Sequence, residues 1–260
     1  MPTSNRRSLL PHEHGAYGQI ALPLVCALGM GRPGAAAALL AAGAFAGFLS
    51  YEPLLVATGN RGKRARDEDG ARALRLAAGL LSVAVAMAGA GFALASPGAR
   101  LASAVPPVLA AGIALLVRLE LERTVAGEVA VATALSSAGF PVAVASGVPP
   151  GTAAAAWLAW TLGFAATTLA VEVVLTRARA PARDPGLPAT GAVLLLQGTA
   201  TALSAVGAVP WAVPAAVAPL ALASLMVILL RIPARRLRVV GWTALAGSTA
   251  ALVVLVVGLR

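Results

Sequence analysis

Read for its alternation of greasy and polar stretches, the chain is a series of apolar runs of roughly 16–24 residues, cut by short gaps of charge, Gly-Pro and Pro-Pro. Crossing a bilayer takes about 20 mostly apolar residues, and only a helix or a closed barrel satisfies its own backbone there. The runs therefore predict nine helical spans, near 16–31, 35–57, 74–95, 101–119, 125–146, 152–175, 188–207, 211–230 and 240–258. The fold class expected is all-α, a single polytopic transmembrane bundle over 1–260, with an interfacial lead-in at 1–15 and a cytoplasmic loop at 58–73. The basic start MPTSNRR could open a signal peptide. His12, Glu13 and His14 interrupt the run that would be its hydrophobic core and no clean cleavage box follows, so a retained first helix is the expectation.

Composition agrees with the pattern. Fully 59% of the residues are hydrophobic and 12% charged, against about 25% charged in a soluble domain. A net charge of +10 would raise the question of nucleic acid, but the charges lie in gaps between spans and leave no soluble basic face. Their distribution orients the chain instead. The gaps after spans two, four, six and eight hold clusters of arginine, such as Arg61, Lys63, Arg64 and Arg66 or Arg231, Arg235, Arg236 and Arg238, while the intervening gaps hold only Arg32 and Arg100. The positive-inside rule then puts the N-terminus in, the C-terminus out and the protein in a cytoplasmic (inner) membrane. All ten acids fall at or near the same predicted cytoplasmic side, although acids need not follow the arginines.

That asymmetry selects the candidate chemistry. Glu52, Glu128 and Glu172 sit just inside spans two, five and six. A carboxylate at membrane depth is costly, so it usually faces a bundle interior or wet cavity and has a partner. The stretch PHEHGAYGQ (11–19) concentrates His12, Glu13, His14, Tyr17 and Gln19. The two histidines, two apart, point about 200° from each other on a helix, so they do not form a zinc pair, and no metal site is expected. The segment is read as a plug closing a cytoplasmic mouth near Glu52 and Glu172, with His14 beside the three glutamates as a candidate catalytic group. In RLELERTVAGE, Arg118 could pair with Glu122, and Glu120 with Arg123, if the span continues as a helix. Arg118, Glu122 and Arg123 are thus candidate binding groups and counter-charges. The mixed-sign stretch 59–72 reads as a solvated loop, and Gly43 to Gly47 as a small-residue packing face.

PHEHGAYGQIALPLV and the Glu122-Arg123 of LERTVAGE resemble the opening and central charged motifs of the YwiC-like family of bacterial integral membrane proteins. Nine spans with polar clusters at the ends of spans two and six are similar in architecture to UbiA-type intramembrane prenyltransferases. That likeness implies an isoprenoid or lipid-like substrate in a cytoplasm-facing cavity, with Mg²⁺ as cofactor only if the chemistry is a transferase's. The paired Asp-rich motifs such an enzyme uses are absent from the sequence. Three functions stay open: lipid-like substrate processing, a proton-coupled carrier in which Glu52 or Glu172 titrates, and a non-catalytic membrane assembly partner.

Overall fold

The computed structural model describes residues 9–10, 14–121, 124–180 and 182–260, and every regular element among them is helical. In chain order these are α1 (His14–Met30), α2 (Ala35–Thr58), α3 (Lys63–Leu94), α4 (Pro97–Ala102), α5 (Val105–Arg118), α6 (Val125–Ser137), α7 (Gly139–Ala145), α8 (Pro150–Arg179), α9 (Gly186–Ala205), α10 (Ala212–Leu229) and α11 (Leu237–Gly258). A 3₁₀ turn, Ala234–Arg236, leads into α11. The short pairs α4–α5 and α6–α7 are each one crossing interrupted by a kink. With those pairs joined, eight helices among the described residues are long and apolar enough to cross a membrane, and α1, at 17 residues, is a shorter apolar helix. The structure is a polytopic helical bundle, as the apolar runs predict.

Sequence chemistry explains the interruptions. Pro106 and Pro107 fall in the first turn of α5, where missing N–H groups cost nothing, and they enforce a fresh helix start after α4. Pro141 removes the bond its N–H would have made to the carbonyl of Ser137, and α6 gives way to α7 at Ala138. The stretch 59–72 differs from expectation. Only Gly59 to Gly62 turn, and α3 starts at Lys63, so most of the charged residues ride on a helical extension of the span. Arg64–Glu68 at i,i+4 (2.8 Å) and Arg72–Asp69 at i,i+3 (3.5 Å) hold that extension, and Ala73 is fully buried against α2.

The centre of the bundle is α1, α8 and α10. α1 packs on α11, α7, α6 and α2, and α8 packs on α10, α6, α9 and α7. Trp160, Leu220, Val217 and Leu255 are among its fully buried side chains. The edges are thinner: α3 leans chiefly on α2, and α5 has no buried residue. The α2–α3 pair is close because it is small at the contact. A Cβ on Gly43 would lie 2.8 Å from the Ala88 nitrogen, and one on Gly91 would lie 2.9 Å from the Leu40 nitrogen. Two backbones can approach that far only where no side chain intervenes.

Candidate functional site at the charged end

α2, α5, α8 and α10 finish, and α3, α6, α9 and α11 begin, where the arginine clusters lie, so these clusters share one end of the bundle. The best-built feature there is Glu52. It sits one and a half turns before the end of α2 and is 4% exposed. Its partner reaches it through a tight reversal. Gly59 takes the left-handed conformation (φ +86°) and its N–H bonds the Val56 carbonyl at 3.1 Å, while the Arg61 N–H bonds the Leu55 carbonyl at 3.3 Å. The chain is thereby folded back, and the Arg61 guanidinium engages both carboxylate oxygens: Nε to Oε1 at 3.0 Å and to Oε2 at 3.2 Å, and Nη2 to Oε2 at 2.6 Å. Fork-on-carboxylate geometry is the strongest ion pair side chains make.

Leu9 and Tyr17 lie at the same corner. Leu9, 2% exposed, fits between Val56 of α2 and Ala73 of α3. Tyr17 sets its ring edge-on to Phe48 at 5.1 Å and lies 6.5 Å from Phe45. Phe48 is one turn before Glu52, so the flanking anchors bracket the ion pair along α2. Gln19 is half-buried in α1. His12 and Glu13 lie outside the described residues, and so do Glu122 and Arg123; His14 opens α1 with its backbone alone described.

The other predicted site residues fall elsewhere. Glu172 is half-buried on α8, where Thr176 donates its hydroxyl to Oε1 at 2.9 Å. Glu128 is exposed in the first turn of α6, where a negative charge suits the helix dipole, and Thr124 caps that turn by accepting the Gly127 N–H at 3.0 Å. Arg118 is exposed in the last turn of α5, the complementary position. The last helical residue of α5 is Arg118, Glu120 enters the left-handed region (φ 56°), and the pairings expected for Glu122 and Arg123 lie outside the described residues. Glu52 belongs to the α2–α3 edge, Glu172 to the α8–α10 group and Glu128 to α6; α1 and α7 lie against both α2 and α8. The two best-formed hollows, each about 10 Å³, have no acid in their walls. The first is mid-bundle, bounded by Pro23 and Cys26 of α1, Ser136 and Gly139 at the α6–α7 kink, and Trp157 and Trp160 of α8. The Trp160 indole N–H is buried there beside the Cys26 thiol, while the Trp157 N–H reaches the Thr133 carbonyl at 3.1 Å.

A second ionic cluster forms around Asp184, which is not among the candidate site residues of the sequence. Arg177 Nε donates to Asp184 Oδ1 at 2.8 Å, Arg231 Nη2 lies 3.3 Å from Oδ2, and Arg177 Nη1 bonds the Ile228 carbonyl at 2.9 Å. The Gly186 N–H completes the set on Oδ1 at 2.9 Å. One carboxylate thus ties the ends of α8 and α10 to the start of α9. The Arg177 guanidinium, followed by the Gly186 N–H, holds the Asp184 carboxyl below the ordinary carboxylate range. A depressed folded-state value means the stabilisation is present above the unfolded value, about pH 4, and is lost as pH falls through the folded one. Thermal unfolding of the wild type should therefore exceed that of Asp184→Asn at neutral pH, with the gap closing at lower pH; a gap that persists unchanged at low pH would contradict this assignment.

Fold and site together define a polytopic helical membrane protein with ion-paired acids at one end. The model of the YwiC-like protein family matches residues 10–144, from the lead-in through α7, and the chain belongs to that family. No curated protein and no solved structure matches it, so the UbiA-type likeness gains no support from known folds.

Proposed function

We propose that this YwiC-like protein is a proton-coupled carrier of a small molecule in the bacterial inner membrane, in a form closed at the charged, cytoplasmic end, with Glu52 as the protonatable group. The observation carrying this reading is the buried, doubly bonded Glu52–Arg61 pair beneath the Leu9 and Tyr17 anchors. An intramembrane acid held by one counter-charge is a natural gate, because proton uptake by the carboxylate removes the charge that holds the guanidinium. A second support is the interruption between α6 and α7, since carriers commonly place their sites at broken helices.

Processing of an isoprenoid draws less support. Diphosphate chemistry with Mg²⁺ needs several hard oxygens around one space. Glu52 stands on α2, which packs on α3 and α7, while Glu128 and Glu172 stand on α6 and α8, which pack on each other, and both oxygens of Glu52 are already engaged by Arg61. For the carrier, the purified chain is placed in liposomes with an imposed proton gradient and a panel of small metabolites, and Glu52→Gln is compared with wild type. The expected result is gradient-driven uptake of at least one solute, reduced at least tenfold in Glu52→Gln. Uptake that ignores both the gradient and the substitution would overturn the reading, and magnesium-dependent binding of a prenyl diphosphate would replace it.

A further inference from the structure

The charged end is not uniform. At the α2–α3 corner six cations, Arg61 to Arg75, meet four acids, and Glu52, Glu68 and Asp69 each hold an arginine. Across the bundle, where α8, α9, α10 and α11 meet, seven arginines between 177 and 238 share one acid, Asp184. That acid is consumed by Arg177 and Arg231. Arg179, Arg183, Arg235, Arg236 and Arg238 are all exposed, and none forms an ion pair with a described acid.

The fold draws these arginines together. The Asp184 knot closes the ends of α8 and α10, and Ile232 and Ala234 pack onto the cluster of Val173, Val174 and Ile228. The 3₁₀ turn carrying Arg235 and Arg236 therefore sits against the end of α8. Below the turn, α11 carries a stripe at helical spacing: Arg238, then Trp242, 61% exposed, then Leu245, 43% exposed. Going into the membrane, that order is cation, amphipathic aromatic ring, aliphatic side chain. It matches a phospholipid from phosphate to interface to acyl chain.

We propose that this corner retains an anionic phospholipid, its phosphodiester held by Arg235, Arg236 and Arg238 and one acyl chain lying along Trp242 and Leu245. The inference is independent of the carrier reading. An excess of guanidinium charge unmatched by any described acid attracts an outside anion, and at the surface of a bilayer the anion at hand is a headgroup. A free phosphate would satisfy the arginines but would leave the Trp242–Leu245 stripe without a role.

The test is native mass spectrometry of the full chain, equilibrated with equal phosphatidylglycerol and phosphatidylcholine in micelles. The combined Arg235→Gln, Arg236→Gln, Arg238→Gln variant is compared with Lys63→Gln, Arg64→Gln, Arg66→Gln, which removes the same charge from the α3 corner. Each arginine near an anionic headgroup carries about fivefold in affinity, so retained phosphatidylglycerol should fall roughly a hundredfold in the first variant and little in the second. Trp242→Ala, which leaves every cation in place, should weaken phosphatidylglycerol retention while leaving inorganic phosphate without effect as a competitor. Equal losses in both triple variants, retention of phosphatidylcholine as strong as phosphatidylglycerol, or displacement of the lipid by inorganic phosphate would each overturn the proposal. Unfolding temperatures within a few degrees of wild type show that the Asp184 knot, whose arginines are untouched, still closes the corner.

Discussion

Replacing Arg61 by alanine lowers the stability of the protein by about 3 kcal/mol, the low end of the range for stripping one partner from a buried ion pair. Glu52 decides the size of the effect. Its side chain is 5% exposed, so the carboxylate stranded by the substitution has almost no water to turn to. Arg61 is 29% exposed, and that partial access of solvent keeps the loss from reaching the upper end of about 5 kcal/mol. The pair itself is not the source of net stability, because desolvating both charges costs about as much as their attraction returns. Removing both, with Glu52→Met and Arg61→Leu together, should recover most of what Arg61→Ala loses. Unfolding in detergent, followed by circular dichroism for the two variants and the wild type, measures this. Arg61→Ala as stable as wild type would show that the Glu52 carboxylate is solvated or otherwise paired. A double variant as poor as the single would show that the residues act through packing alone.

Substituting leucine at Gly43 separates α2 from α3. Even the first added carbon would lie 2.8 Å from the backbone nitrogen of Ala88 and 3.0 Å from the carbonyl oxygen of Ala84, positions that no rotamer change can vacate. α3 has little else to lean on, since its packing is chiefly against α2. The cost should reach or exceed the 1–3 kcal/mol typical of overpacking, and the displaced α3 would carry Ala73 away from Leu9. At Gly89, on α3, an added Cβ would meet no neighbour within 4 Å, so Gly89→Ala is the control and should be neutral or stabilising by up to about 1 kcal/mol. Proximity can be read directly from disulfide trapping of cysteines placed across the α2–α3 seam: efficient in wild type and in Gly89→Ala, lost in Gly43→Leu. Equal trapping in all three would mean that the seam does not depend on the glycine contact.

The bundle was legible because membrane spans obey a length rule that acts on each segment alone. Each predicted span has a helix within a few residues of its bounds, and the greatest departure, the early start of α3 at Lys63, came from i,i+4 charge pairs that favour helix in a stretch read as loop. Glu52 was legible as an acid in an apolar run. Its partner was not, because Arg61 reaches it only through the reversal at Gly59, and nothing in the one-dimensional order distinguishes Arg61 from Lys63, Arg64 or Arg66. Glu128 and Glu172 illustrate the opposite case. Their place near the charged end follows from the spans, but whether acids on α2, α6 and α8 face a common space depends on helix rotation and neighbour order, which hydropathy does not encode.

By itself, the amino-acid sequence determined the helical class, the approximate limits of eight long apolar helices with a shorter ninth, and the gathering of charge at one end, because each follows from the cost of leaving backbone or ions in hydrocarbon, incurred residue by residue. Only the tertiary structure decided which acid meets which arginine. It paired Glu52 with Arg61, gave Asp184 to Arg177 and Arg231, and left five arginines of the α8–α11 corner facing outward. Those choices are set by turns such as Gly59 and by the packing of helices distant in the chain, where sub-ångström clearances and not local preference select the partner.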